Sequence, residues 1–264
     1  MKKINLSIIL MLVNLSAIPT AYAGQLEDLS QYKSIELEKG DSTALLSSLK
    51  DNGLAAGAQL GFFERTQEIV AVVKSHDAAL DTMYPFGALL SKEGYLPPVI
   101  EEIGRTSEVV SGNRINESEM RMRIVKPAQF HLTVPTFRDY LFSGFPQSFI
   151  GVDEFTPPSL KPKTEKAKKV WADSIKEGYA AGRSQADKLF ELNLSHVNAD
   201  FIGMWRYNRL LALGMVKPPA VAKSVAESTV TDNEIIVVPR SSEIVDNSKF
   251  NQKIDTWKRE MSRE

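Results

Sequence analysis

The chain has 264 residues, no cysteine, and 32 Lys+Arg against 33 Asp+Glu, giving a formal net charge of −1. That balance, with a pI of about 6.4, excludes a uniformly basic nucleic-acid-binding surface. The missing cysteines exclude disulfides, thiolate-ligated zinc, iron–sulfur clusters and thiol catalysis.

Residues 1–23 read as a secretory signal peptide. Lys2 and Lys3 are followed by an apolar run from Leu6 to Ile18, then Pro19, then the small-x-small site Ala21-Tyr22-Ala23 before Gly24. The run is shorter than the roughly 20 residues a bilayer span needs. Removal of this segment would release an exported chain, and one without disulfides suits a bacterial periplasm. Residues 24–40 are polar and mixed in charge, as expected of a flexible arm; 41–264 would form a single mainly helical domain.

From Ser42 apolar residues recur at three- and four-residue steps, the helical period, through Leu49, Leu60, Val73 and Leu80. Gly53, Gly57 and Gly61 interrupt it, each costing a helix about 1 kcal/mol relative to Ala. The preferred reading is two helices split near Asn52-Gly53. The other is one helix with a flat side for a close neighbour. A short helix is predicted over Phe86 to Leu90 and ends before Gly94, and Leu96-Pro97-Pro98-Val99 must be non-helical. Between Arg105 and Thr133 the period falls to two. Met120, Met122 and Ile124 alternate with Arg121 and Arg123, and Phe130, Leu132 and Val134 continue the alternation past Pro127, so a small antiparallel sheet is expected.

Phe137 to Leu141 reads as a short helix, followed by a Pro- and Phe-rich loop containing Pro157-Pro158. Thr164 is a good N-cap for the strongest helical stripe in the chain, which includes Trp171, Ile175, Tyr179, Phe190, Val197 and Tyr207. Unbroken to Leu213, this helix would be roughly 75 Å long, so a break is expected near Gly182 or Asn193-Leu194-Ser195. Gly214 supplies the C-cap and Pro218-Pro219 prevent resumption. A C-terminal strand pair (Val225 to Val230, Glu234 to Val238) and a polar helix near Phe250 to Met261 complete an α+β expectation.

No catalytic constellation emerges. His76, His131 and His196 lack a second ligand at metal spacing, and no nucleophile elbow, P-loop or dinucleotide fingerprint occurs. Glu101-Glu102 and Asp153-Glu154 could in principle act as acid–base pairs, the basis of an alternative reading as a carboxylate-dependent periplasmic hydrolase. Lys161 to Lys169 reads as a solvated first helical turn. A small-molecule binder is disfavoured because alternating βαβ units are absent. No cofactor or metal is expected. The Pro-Pro corners and the aromatic helical face suggest scaffolding instead.

The ordered blocks Leu96-Pro97-Pro98-Val99, Phe137-Arg138-Asp139-Tyr140-Leu141, Pro157-Pro158-Ser159-Leu160, Ile175-Lys176-Glu177-Gly178-Tyr179, Met204-x-x-Tyr207 and Met215-Val216-x-Pro218-Pro219 resemble the DotC/TraI family of type IVB secretion and I-type conjugation systems. The resemblance implies a non-enzymatic subunit of an outer-membrane-associated core complex. Such a subunit would form a homo-oligomeric ring with DotD/TraH-like lipoproteins and DotH/TraN-like proteins and would not bind nucleic acid directly. Some members are lipoproteins, whereas this sequence has no cysteine to acylate, so partners would have to hold it at the membrane. Candidate interface residues are Pro97, Pro98, Phe137, Arg138, Tyr140, Pro157, Pro158, Tyr207, Pro218 and Pro219.

Overall fold

Thr43–Ser75 form one uninterrupted helix, α1, and Glu165–Ala212 form another, α4. Between them lie α2 (Asp77–Met83) and α3 (Phe137–Leu141). The computed structural model describes residues 43–104, 107–111, 114–117, 121–148, 161–225, 229–236 and 240–258. The expected signal peptide with Ala21, Ala23 and Gly24, the arm at 24–40, and Pro157-Pro158 fall outside these residues. The architecture is α+β, with long helices and small antiparallel strand pairs that include C-terminal ones.

Contacts divide the chain into two compact units, each assembled from two separated stretches. The first takes residues up to Leu80 together with Leu141–Leu194; the second takes Asp81–Tyr140 and Ser195–Glu264.

In the first unit the predicted split at Asn52-Gly53 does not occur. A β-carbon on Gly57 would strike the carbonyl of Ile175, and one on Gly61 that of Tyr179. From the other side, Gly178 faces the carbonyl of Leu54 and Gly182 that of Ala58. The glycines of α1 and α4 therefore interlock backbone to backbone, close enough for Cα–H to carbonyl contacts along the crossing. Tertiary packing overrides the local glycine penalty, so the flat-sided reading is the right one. The predicted break in α4 is also absent. Gly182 serves the crossing, and the buried Asn193 amide donates to the carbonyls of Leu141 (3.2 Å) and Ser143 (2.8 Å) instead of competing for its own helix. Leu49, Ala56, Ala167, Trp171 and Ile175 form the apolar core beside the crossing.

The caps of α4 are as expected. The Ala167 amide donates to Thr164 Oγ1 at 3.1 Å. At the far end Gly214 takes φ +74, while its N–H reaches the carbonyl of Leu211 and that of Met215 reaches Leu210, a Schellman closure.

The second unit holds twelve described strands, β1 (Tyr95–Leu96), β2 (Val99–Ile103), β3 (Ser107–Ser111), β4 (Arg114–Glu117), β5 (Arg121–Lys126), β6 (Gln129–Phe130), β7 (Val216–Lys217), β8 (Ala220–Val225), β9 (Thr229–Thr231), β10 (Glu234–Ile236), β11 (Arg240–Asp246) and β12 (Lys249–Phe250). They pair antiparallel two by two: β1 with β6, β2 with β5, β3 with β4, β7 with β12, β8 with β11 and β9 with β10. The alternation expected past Pro127 ends at Phe130, and Leu132 is fully exposed. The strand pair expected from Val225 is the β9–β10 hairpin. The longer β8–β11 pair escaped prediction. No helix forms over the described part of 250–261. Instead Asn251 turns back to donate to the Gly214 carbonyl at 2.9 Å, and only a short 3-10 turn follows at Ile254–Thr256.

These strands form the same device twice. A glycine with positive φ (Gly94, Gly214) leads into a two-residue strand, a Pro-Pro corner and a two-stranded arm that returns to a Phe. In the first arm Val99 pairs with Lys126 and Ile100 with Ile124, so Val125 is bulged out. In the second, Ala220 pairs with Asp246 and Val221 with Ile244, so Val245 is bulged out. Tyr95 meets Phe130 at the first root and Val216 meets Phe250 at the second. Register, bulge and closing aromatic coincide.

Candidate functional site

The first arm is seated on the C-terminal part of α4. Gly203 gives the clearance, since a β-carbon there would run into Val99 and the Ile100 backbone. Arg206 then donates to the Ile100 carbonyl at 2.6 Å and pairs with Glu102 at 3.5 Å. Tyr207, buried, packs with Ile100, Leu210 and Val216, and its hydroxyl lies 3.3 Å from Ser248 Oγ. One helical turn thereby fastens the roots of both arms.

Beside the first root lies a cavity of about 230 Å³ whose lining includes Pro97, Lys126, His131, Tyr140 and Asp200. At its centre the Asp200 carboxylate, 7% exposed, accepts from Lys126 Nζ at 2.7 Å and from the Tyr140 hydroxyl at 3.0 Å. Burial and the neighbouring Asp200 charge push the Tyr140 phenol well above its ordinary value. Phe86 stacks on Tyr140 with centroids 5.4 Å apart, and Phe201 meets Phe86 edge-on at 5.3 Å. Tyr84 donates to Asn198 at 2.6 Å, and burial lifts its phenol to about 12. The chemistry at Asp200 is that of a held ion pair.

The residues singled out in sequence divide by burial. Pro97, Pro98, Phe137, Tyr207 and Pro219 are buried, Tyr140 and Arg138 are half-buried, and Pro218 is exposed. The cavity brings Pro97 and Tyr140 together. Arg138 instead forms a double hydrogen bond to Asp81, both contacts at 3.0 Å, with its guanidinium 4.3 Å over the Phe137 ring. Glu101 and Glu102, consecutive residues of β2, have different partners. Glu101 pairs with Arg123 at 3.5 Å, and Glu102 with Arg206. Asp153 and Glu154 lie outside the described residues. Among the described residues no group of His, Asp and Glu could hold a metal ion, and no helix is long and apolar enough to cross a membrane.

Sequence reasoning missed Lys126 and Asp200, whose partnership spans 74 residues and leaves no local pattern. It also missed a charged network in the first unit. Glu68 accepts from Arg183 at 2.8 and 2.9 Å and from Arg65 at 2.7 Å, while Arg65 also reaches Asp187 at 2.7 Å. Burial opposes ionisation of Glu68, but the bonds from Arg183 and Arg65 outweigh it and hold the carboxyl below its ordinary range. One turn earlier, burial pushes the Glu64 carboxyl up. Tyr179 donates to one of its oxygens at 2.6 Å, and the other, Oε1, is buried without a hydrogen-bond partner among the described residues.

The family model described as type IV secretory system, conjugal DNA-protein transfer, matches residues 46–259. The match runs through both units and both arms. No curated protein matches the chain.

Proposed function

Because the chain belongs to the TraI family of type IV secretion and conjugal transfer components, we propose that it is a non-enzymatic assembly subunit of the transfer apparatus. It acts in the periplasm as part of an outer-membrane-associated core complex, held there by a DotD/TraH-like lipoprotein and DotH/TraN-like neighbours. Repeated copies of the subunit form a ring through which cargo passes.

The observation that carries this reading is the pair of arms. Ile103 and Val125 on the first ribbon are 39% and 42% exposed, and Val230, Ile235 and Val245 on the second are 67%, 68% and 59% exposed; two-stranded ribbons are marginal in water unless something covers them. By contrast, charged groups elsewhere in the second unit are occupied within the chain. Lys126 and Tyr140 share Asp200, Arg138 holds Asp81, and Arg206 holds Ile100 and Glu102.

Isolation of the tagged chain from cells carrying the transfer system tests the reading. It should emerge in a high-mass complex with a lipoprotein and other transfer proteins. A lone monomer, with none of these, would refute it. Replacing Glu101 and Glu102 by Gln should leave transfer frequency unchanged; abolished transfer at normal protein level would favour a hydrolase.

A further inference from the structure

The two arms share register and shape, yet their charges are inverted. Superposing the pairings sets Val99 on Ala220, Lys126 on Asp246, and Ile124 on Ile244. At every described position of the paired strands where both arms carry a charge, the signs are opposite: Glu102 against Lys223, Arg123 against Glu243, Lys126 against Asp246. The return strand β5 carries Arg121, Arg123 and Lys126, whereas the equivalent stretch of β11 carries Glu243 and Asp246. Among the described residues β5 pairs only with β2 and β11 only with β8, which leaves each an outer edge.

We propose that the arms are the two halves of one self-association surface, the first arm of one copy pairing edge to edge and antiparallel with the second arm of the next. This rests on the assembly-subunit reading and deepens it by naming the surface. Matching bulges at Val125 and Val245 give both ribbons the same local twist, so their edges fit. Charge then selects the partner. First arm against first arm sets Arg121, Arg123 and Lys126 among themselves, and like charges across a strand pair repel. The second return strand carries two acids, Glu243 and Asp246, against one base, Arg240. First against second joins Arg123 to Glu243. Arg123 is available for this, being 67% exposed and, among the described residues, held by a 3.5 Å contact to Glu101. Lys126 and Asp246 already have partners in Asp200 and Lys249, so they shape the field and the Arg123–Glu243 match discriminates. Pairing two different surfaces is heterologous, and it propagates from copy to copy until the rotation closes a ring.

The cysteine-free sequence allows a clean test in full-length protein. Val125→Cys and Ser241→Cys, at exposed positions of β5 and β11 that leave Arg123 and Glu243 in place, are introduced separately, with different tags, and together in one chain, in cells carrying the transfer system. A short bismaleimide is then applied. The two single variants expressed together should give at least tenfold more cross-linked dimer than either alone, and the doubly substituted chain should give a ladder of multimers. Equal dimer from a single variant would mean like arms pair and would overturn the proposal. So would absence of any cross-link in samples whose tagged chain still co-isolates with transfer proteins, an outcome that leaves the assembly reading standing. Loss of co-isolation in the unsubstituted chain is the result that strikes at that reading instead.

Discussion

The two units solve the same problem, keeping a chain in one arrangement, by opposite means. In the first, α1 and α4 approach until glycine backbones touch, and the charged side chains of Arg65, Glu68, Arg183 and Asp187 satisfy one another beside the crossing. In the second, a helical turn around Gly203, Arg206 and Tyr207 holds the roots of two ribbons whose apolar residues stay in water. On the proposed reading, the apolar surface that the second unit keeps in water is where assembly happens.

The sharpest way to break the contrast is Gly57→Ala. Its methyl must displace the Ile175 carbonyl, so unfolding in urea should show a loss of about 3 kcal/mol, more than offsetting the gain in helix propensity. Gly87→Ala in the second unit meets nothing within 4 Å and should stay within about 0.5 kcal/mol of the parent. A similar loss there would mean the crossing is not special.

Glu68→Gln comes next. It weakens three charge-assisted hydrogen bonds and should cost about 2 kcal/mol at neutral pH. Because the folded carboxyl sits below its ordinary 4.5, its stabilisation is present above that pH and disappears as pH falls through the folded value. The cost of the substitution should therefore shrink in acid.

Glu64 carries the opposite sign. Its carboxyl is raised in the fold, so the native state keeps that proton to higher pH and stability falls as pH climbs from about 4.5 through the raised value. Glu64→Gln removes the charge that burial penalises. It should stabilise by about 1 kcal/mol at neutral pH, with the gain vanishing in acid, as read from denaturation curves across pH. A constant effect at all pH values would contradict the burial account.

The smallest effect belongs to the arms. Val245→Thr should change the unfolding free energy of the isolated chain by no more than about 0.5 kcal/mol, because the side chain already faces water.

Much of the local structure was legible in the sequence. Thr164 and Gly214 mark both ends of α4 through their own capping chemistry, and the alternation at Arg121 to Ile124 places β5. What failed did so where distant residues decide. The spacing of Gly53, Gly57 and Gly61 reads locally as weakness, and only Gly178 and Gly182, more than a hundred residues on, turn it into a fit. Asp200 looks like any helical acid until Lys126 and Tyr140 arrive. The twin arms were within reach, since each Pro-Pro pair follows a glycine and each return ends in Phe. Different residues and opposite charges at matching positions hide the repeat from composition and periodicity.

The central claim is that opposite charge on like arms joins successive copies, and conjugal transfer reads it directly. Arg123→Glu alone and Glu243→Arg alone should each lower transfer frequency at least a hundredfold at unchanged protein level, and the two reversals in one chain should recover most of it. If the double reversal transfers no better than the single ones, the arms do not meet in this way.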